Sequence, residues 1–291
     1  MFFGSIPALV TPFTGGRVDE KLFRDFLEWQ IAEGSNALVP CGTTGETPTL
    51  SSEEQHRLFE ITVEVANGRV PVIAGCGSND IETAKSHLRA AKEAGADAGL
   101  VVTGYYNRPS QAGLLAAFRA LSEATQIPII VYNVPGRTVV DISAATMGEI
   151  AKLPNIAGVK DATGDLGRVT AHRLACGTDF CQLSGNDETA LAFNAMGGVG
   201  CISVSANVAP RLCSDFQTAM REGRWNDAVT LQDRLYPLHT ALFTDASPGP
   251  TKYALSRVRP GFPTETRLPI IEPSDASKRA VDAALEHAGL V

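Results

Sequence analysis

The chain has 291 residues, of which 44% are hydrophobic and 20% are charged, so it can bury a sizeable core as one α/β barrel. A net charge of −7 argues against a general surface for nucleic acid or anionic membranes. No apolar run approaches the roughly 18 residues of a membrane span, and the apolar N-terminus lacks the leading basic segment of a signal peptide. We therefore expect a cytoplasmic globular protein.

Cysteine and histidine spacing gives no sign of a metal centre. The six cysteines show no C-x-x-C pair, and the five histidines are scattered without an H-x-x-x-H pair that could seat a metal on one helix face. In a long chain without a secretion signal, reduced core thiols are the better interpretation.

Apolar, β-branched runs alternate with helical patterns along most of the chain. The predicted strands are 5–10, 37–41, 71–74, 99–103, 128–132, 156–160, 181–184 and 200–203. Eight buried strands, spaced roughly 20–35 residues apart, suit helical crossovers and a parallel sheet.

The helices between these strands carry their own boundary signals. Ser51 with Glu54 predicts a capping box, and Ser110, Ser143 and Asp187 are candidate N-caps. Eight strand–helix units close naturally into a (β/α)₈ TIM barrel. The alternative is an open doubly wound sheet, but no G-x-G-x-x-G fingerprint follows the first strand.

The strand signal stops at about Arg224. The segments 225–243, 251–258 and 276–288 have helical patterns, interrupted by proline-rich stretches. The sequence therefore predicts two parts: a (β/α)₈ barrel catalytic domain over 1–223 and a C-terminal helical region over 224–291.

Catalytic groups of such barrels lie at the C-terminal ends of the strands, and Lys160 stands at one of them. Burying an ammonium there costs several kcal/mol unless it is paired or deprotonated. The neutral amine is the nucleophile needed to attack a ketone. The alternative is a structural ion pair with Asp161, Glu46 or Asp187.

Tyr132 closes the preceding strand, so a barrel would place it beside Lys160. Its hydroxyl both donates and accepts hydrogen bonds, which makes it a usable proton shuttle. Thr43 and Tyr106 are candidates for passing the proton onward. The alternative is a core tyrosine whose hydroxyl binds a backbone carbonyl.

Two segments could hold anions. Gly42-Thr43-Thr44-Gly45 offers backbone N–H groups and two hydroxyls, a concavity suited to a small carboxylate, although taken alone it is only a turn. Arg137 follows Tyr132 in a loop, where its guanidinium could hold a second carboxylate in bidentate fashion. An exposed loop arginine is the alternative.

Taken together, these residues resemble the dihydrodipicolinate synthase family, within the pyruvate-dependent class I lyases that include N-acetylneuraminate lyase. The resemblance covers essentially the whole chain. It is carried by these motifs: Gly42-Thr43-Thr44-Gly45-Glu46, Tyr105-Tyr106-Asn107-Arg108-Pro109, Pro135-Gly136-Arg137-Thr138 and Gly158-Val159-Lys160-Asp161-Ala162-Thr163-Gly164.

The resemblance implies a role for each site residue. Lys160 would form the imine with pyruvate, and Thr43, Tyr106 and Tyr132 would form a proton relay in which Tyr106 reaches into the neighbouring subunit's site. The implied substrate-binding residues are Thr44 for the pyruvate carboxylate, Arg137 for the carboxylate of L-aspartate 4-semialdehyde, and Gly185 and Ile202, whose carbonyls shape the pocket.

The implied reaction condenses the two substrates to 4-hydroxy-tetrahydrodipicolinate, a step toward diaminopimelate and lysine. No metal or organic cofactor is required, and a homotetramer built as a dimer of dimers is expected. A sister lyase acting on a sugar acid is the alternative, which Arg137 disfavours because N-acetylneuraminate lyases generally lack it. A catalytically silent barrel is improbable because Lys160, Tyr132, Tyr106 and Thr43 are all present.

Lysine-inhibited relatives use an acidic residue and a histidine beside Tyr105 and Asn79. This chain carries Thr83 and Gln55 at those positions. We therefore expect weak or no feedback inhibition by lysine.

Overall fold

A computed structural model describes residues 2–291 and contains a closed parallel barrel with helices around it. Seven parallel strands are hydrogen-bonded in the order β1-β9-β8-β7-β6-β5-β4, and β2 and β3 form a separate antiparallel hairpin. The strand bounds are β1 Gly4–Pro7, β2 Phe13–Thr14, β3 Arg17–Val18, β4 Ile73–Gly75, β5 Ala98–Val102, β6 Ile129–Asn133, β7 Ile156–Asp161, β8 Cys181–Ser184 and β9 Gly200–Ser203.

The predicted strand at 37–41 is present only as two isolated bridges. Val39 bridges the chain just after β1, and Leu38 bridges the chain just before β4, so this segment closes the barrel as its eighth member. Pro40 has no N–H to donate to a ladder, and Cys41 leaves the extended conformation with φ 55°. The (β/α)₈ prediction is confirmed, but the prediction of a regular strand here is wrong.

Twelve helices are described between residues 2 and 291. Their bounds are α1 Glu20–Ala32, α2 Ser52–Ala66, α3 Ile81–Ala94, α4 Gln111–Ala124, α5 Pro135–Thr138, α6 Ala144–Ile150, α7 Gly167–Cys176, α8 Ala190–Ala195, α9 Pro210–Arg221, α10 Trp225–Ala241, α11 Gly249–Val258 and α12 Asp275–Ala288. None of them is long and apolar enough to cross a membrane.

The helix boundaries follow the sequence signals in most places. The Ser51–Glu54 capping box is present, and the Ser110 and Ser143 side chains accept N–H groups at the starts of α4 and α6. The expected N-cap at Asp187 is wrong. Its carboxylate instead accepts two backbone N–H groups of the turn after β9, at 2.8 and 3.1 Å.

The last three helices form the predicted C-terminal helical part. Helix α10 packs against α9 and α12, and α11 packs against α12. The boundary between the two parts at residues 223 and 224 stays a prediction.

Two apolar layers hold the barrel together. One fills its interior with side chains from most of the strands, including Ile6, Val39, Ile73 and Leu183. The other, larger layer lies between the strands and the surrounding helices. Tyr132 belongs to the interior layer, so its side chain lies inside the barrel rather than under a helix.

Candidate active site

Lys160 and Tyr132 lie side by side at the C-terminal end of the barrel. They are register partners on β7 and β6, so both side chains project from the same face. The Lys160 amine lies 4.2 Å from the centroid of the Tyr132 ring, and Lys160 is only 6% exposed. The structure therefore brings together the amine and the phenol that the sequence singled out.

Two of the three carboxylates that were candidates for an ion pair with Lys160 bind other groups. Asp161 accepts the Nε–H of Arg168 at 2.9 Å and the hydroxyl of Thr163 at 2.6 Å. Asp187 accepts the N–H groups after β9, as described above. Neither forms an ion pair with the amine.

The third carboxylate, that of Glu46, forms an ion pair with another lysine. Its Oε1 lies 2.5 Å from the Nζ of Lys252, and both side chains are almost fully buried. Burial lowers the pKa of Lys252, an effect that Glu46 opposes. Within residues 2–291, Lys160 takes part in no ion pair.

Lys252 was not among the site residues predicted from the sequence, although its position in a helical pattern gave a signal. Lys252 shares a face of α11 with Leu255, three residues on, and both are buried. A lysine on the apolar face of an amphipathic helix requires a buried partner.

A cavity of about 420 Å³ opens beside Tyr132. Thr43, Tyr105 and Arg137 are among the side chains that line it. Among the described lining residues, Arg137 alone carries a permanent charge. The cavity is therefore suited to an anionic substrate despite the negative charge of the whole chain.

Arg137 lies in the short helix α5 with its side chain exposed. No carboxylate of residues 2–291 forms an ion pair with it, so the guanidinium is available to an incoming anion. Its position follows from Pro135, which begins α5 directly after the loop from β6.

The turn that contains Thr43 and Thr44 is a single turn of 3₁₀ helix over Thr43–Gly45. The Gly45 N–H donates to the Gly42 carbonyl at 2.9 Å, and the Thr11 hydroxyl donates to the Gly45 carbonyl at 2.8 Å. In such a turn the first N–H groups have no partner inside the helix. Thr43 lines the cavity, whereas Thr44 is buried and is not among the described lining residues.

Gly185 and Ile202 lie on the side of β7 that faces β8 and β9, and neither they nor Lys160 are among the described residues that line the cavity. Leu183 pairs with Lys160 on one side and with Gly200 on the other, which places Gly185 level with Ile202. A Cβ on Gly185 would lie 2.6 Å from the Cβ of Ala162, so only glycine allows this close approach.

Tyr106 does not reach the cavity of its own chain. It is 92% exposed and has a left-handed backbone with φ 69°. The adjacent Asn107 side chain donates to the Asn79 carbonyl at 2.8 Å and holds the loop. Within one chain, the structure does not bring Tyr106 together with Thr43 and Tyr132.

Gln55 and Thr83 line the same cavity, as does His87. Burial and the neighbouring His56 lower the pKa of His87 to about 4, so this imidazole is neutral at physiological pH. No described carboxylate lines the cavity.

All six cysteines in residues 2–291 are free. Burial raises the pKa of Cys176 and of Cys181 to about 11, so these two thiols are protonated at neutral pH. No group of three or more histidine, cysteine or carboxylate side chains in the described chain is arranged to hold a metal ion.

Comparison with known proteins extends the similarity to the whole chain. The model of the dihydrodipicolinate synthetase family matches residues 1–288. A 4-hydroxy-tetrahydrodipicolinate synthase of Rhizorhabdus wittichii is 64% identical over 290 residues, covering 100% of both chains, and one of Zymomonas mobilis is 61% identical over 291 residues with the same coverage. A solved structure of a chloride-inhibited dihydrodipicolinate synthase from Acinetobacter baumannii, complexed with pyruvate, is 42% identical, with a TM-score of 0.96 over 100% of both chains.

Proposed function

Since this chain belongs to the dihydrodipicolinate synthetase family, we propose that Lys160 holds pyruvate as a Schiff base while the residues around it move protons and bind the aldehyde. The chain is a class I lyase that condenses pyruvate with L-aspartate 4-semialdehyde to 4-hydroxy-tetrahydrodipicolinate, in the biosynthesis of diaminopimelate and lysine. The alternative of a sugar-acid lyase is set aside because the relatives at 61 and 64% identity are synthases.

The observation that carries this proposal is the lack of an ionic partner for the buried Lys160 amine. Lys160 is buried, and no carboxylate of residues 2–291 forms an ion pair with it, so its amine is not held in a structural contact. The neutral amine attacks the ketone carbon of pyruvate, and the resulting carbinolamine loses water to give an iminium. The iminium draws electrons from the methyl carbon, which can then lose a proton and become a nucleophilic enamine.

Tyr132 is the proposed proton carrier for these steps because its ring is in contact with the Lys160 amine. Its hydroxyl can accept a proton from one group and donate another to the departing water. Thr43 on the cavity wall and Tyr106 from a neighbouring subunit complete the proposed relay.

Two anion sites orient the substrates in this proposal. Thr44 and the N–H groups of its turn bind the pyruvate carboxylate, and the carbonyls near Gly185 and Ile202 define the opposite wall. Arg137 binds the carboxylate of the semialdehyde, since it is the one permanently charged group among the described lining residues.

The enamine then forms a carbon–carbon bond to the aldehyde carbon, and the oxygen of the aldehyde takes up a proton. The amino group of the bound semialdehyde attacks the iminium carbon, closes the ring and releases Lys160. One water is lost overall. The iminium is itself the electron sink, so we infer that the reaction needs neither a metal nor an organic cofactor.

We also propose a homotetramer, a dimer of dimers, in the cytoplasm. The support is Tyr106, a large aromatic side chain that is 92% exposed and is not among the described residues that line the cavity. Such exposure is explained if a second subunit covers the residue.

Exchange of the pyruvate methyl protons for deuterium, followed by NMR in the absence of aldehyde, tests the assigned proton relay. We expect Tyr132→Phe to slow the exchange about 10²–10⁴-fold. Arg137→Ala is the matched control and should exchange at the wild-type rate, because it contacts only the second substrate. Wild-type exchange in Tyr132→Phe would refute the role of Tyr132.

A further inference from the structure

Glu46 occupies an unusual position directly after the turn of Thr43 and Thr44. Its backbone is left-handed, with φ 59°, which is uncommon for a residue other than glycine. Its N–H donates to the Thr43 carbonyl at 3.1 Å, so the conformation of Glu46 is coupled to that of the turn. The Glu46 side chain points away from solvent and is almost fully buried.

The partners of Glu46 come from the C-terminal helical region. Lys252 of α11 forms the 2.5 Å ion pair and also donates to the Glu265 carbonyl at 2.7 Å. The other carboxylate oxygen of Glu46 accepts the backbone N–H of Arg267 at 2.9 Å. Both oxygens of this buried carboxylate are thus held by residues far away in sequence.

The guanidinium of Arg267 holds the chain on the other side of Glu46. It donates to the Thr49 carbonyl at 2.8 Å and forms two hydrogen bonds with the carboxylate of Glu54, at 2.7 and 2.6 Å. The segment from Glu46 to the start of α2 is therefore fixed at both ends.

The same region also binds the β2–β3 hairpin. The N–H groups of Gly15 and Gly16 donate to the carboxylate of Glu265, at 2.9 and 2.6 Å. The ring of Phe13 lies 4.3 Å from the Lys252 amine and 4.4 Å from the Arg267 guanidinium. We call Lys252, Glu265 and Arg267 the C-terminal clamp.

We propose that Lys252 and Arg267 are positioning residues for the reaction, which hold the Thr43–Thr44 turn in the geometry that binds the pyruvate carboxylate. The C-terminal helical region is then part of the machinery of the active site. This inference rests on the roles assigned to Thr43 and Thr44 under the proposed function.

The physical reason lies in the free energy of the Glu46 conformation. A left-handed backbone is unfavourable for a residue with a side chain, and burying a carboxylate without partners is more unfavourable still. The clamp compensates for both in this one conformation. Without the clamp, the carboxylate lowers its free energy by turning toward water. The turn from Thr43 to Glu46 then moves with it.

Steady-state kinetics of Lys252→Met test this proposal. Methionine keeps much of the length of the side chain but removes the charge. We expect KM for pyruvate to rise at least 10-fold while KM for the semialdehyde, whose proposed ligand Arg137 does not contact the clamp, changes less than twofold. A merely structural role would lower the amount of active enzyme, and hence the apparent kcat, without this split between the two KM values.

Lys278→Met is the matched control, because Lys278 lies in the same region but pairs with Glu272 at the surface. We expect wild-type KM values for it. The double variant Lys252→Met with Glu46→Gln removes the unpaired carboxylate and should recover part of the affinity for pyruvate. If Lys252→Met does not fold, Arg267→Met serves as the test. It should again raise KM for pyruvate more than KM for the semialdehyde, but by a smaller factor.

The inference is overturned if Lys252→Met, or Arg267→Met in its place, has a KM for pyruvate within twofold of that of Lys278→Met. Failure of the proposed function itself would look different. In that case the wild-type enzyme would form no reducible pyruvate adduct on Lys160, whatever the variants do.

Discussion

Two lysines are buried in this protein, and their surroundings differ in one respect. Lys160 at the end of β7 and Lys252 in α11 each lie close to an aromatic ring, with the amine 4.2 Å from the centroid of Tyr132 and 4.3 Å from that of Phe13. Lys252 also has the Glu46 carboxylate at 2.5 Å, whereas no ion pair in residues 2–291 includes Lys160. The presence or absence of a carboxylate separates the two environments.

The difference shows how the same side chain serves two purposes. A buried lysine that pairs with a carboxylate is fixed in place by that contact and serves a structural purpose. A buried amine without such a partner is not committed to a structural contact and remains available to attack a carbonyl. Burial alone therefore does not identify a catalytic lysine; the engagement of the nearby carboxylates does.

The largest effect is expected for Lys160→Met. Loss of the nucleophile should reduce turnover by at least about 10⁴-fold, as is typical when a nucleophile is removed. The free energy of unfolding, measured by urea denaturation, should change by less than about 1 kcal/mol because no ion pair is broken. A large loss of stability would mean that Lys160 has a structural partner after all.

Lys252→Met, unlike Lys160→Met, should cause a large loss of stability. Removing one member of a buried ion pair leaves Glu46 unpaired and should lower the free energy of unfolding by about 3–5 kcal/mol. The same urea experiment on Lys278→Met, a surface pair, should show a loss of less than about 1 kcal/mol. Equal losses for the two variants would contradict the description of Lys252 as a member of a buried ion pair.

Arg137→Ala distinguishes the binding of the semialdehyde from the reaction of pyruvate with Lys160. We expect kcat/KM for the semialdehyde to fall about 10–100-fold, since a bidentate hydrogen-bonded ion pair is lost. Trapping of pyruvate on Lys160 should be unchanged. Equal loss of both would show that Arg137 supports the nucleophile rather than the aldehyde.

His87 is a buried base that is kept neutral, and it predicts a pH effect on stability. Its pKa in the folded state is about 4, below the value of about 6.5 for an unfolded histidine, so the unfolded chain binds more protons between these values. Its contribution is complete above pH 6.5 and is lost as the pH falls toward 4, by about 1–3 kcal/mol. In His87→Gln, the free energy of unfolding from urea denaturation should depend less steeply on pH across this range. An unchanged dependence on pH would refute the assignment.

The smallest effect concerns free lysine as an inhibitor. The cavity, which Gln55 and Thr83 help to line, offers no described carboxylate to the amino groups of lysine. We expect less than twofold inhibition by sub-millimolar lysine in the condensation assay. Half-inhibition in that range would show that other groups bind the amine.

The sequence predicted the features that depend on local pattern. Lys160 and Tyr132 end successive apolar strands, so a parallel barrel had to place them together, and the structure does so. The capping box at Ser51 and Glu54 was equally local. The prediction of a regular strand at 37–41 was wrong, because Pro40 interrupts a pattern that is otherwise typical of a strand and leaves only two isolated bridges.

Features that depend on distant contacts could not be predicted in this way. Nothing near Glu46 in the sequence identifies Lys252 as its partner, since the pair forms only when α11 packs against the barrel. The C-terminal helices had no assigned role for the same reason. The position of Tyr106 cannot be derived from one chain at all if a second subunit completes the site.

The most direct test of Lys160 as the nucleophile is borohydride reduction in the presence of pyruvate, followed by peptide mass mapping. The account predicts one reduced pyruvate adduct, located on Lys160, and an unmodified Lys252 in the same sample. An adduct on another lysine, or none at all at saturating pyruvate, would contradict it.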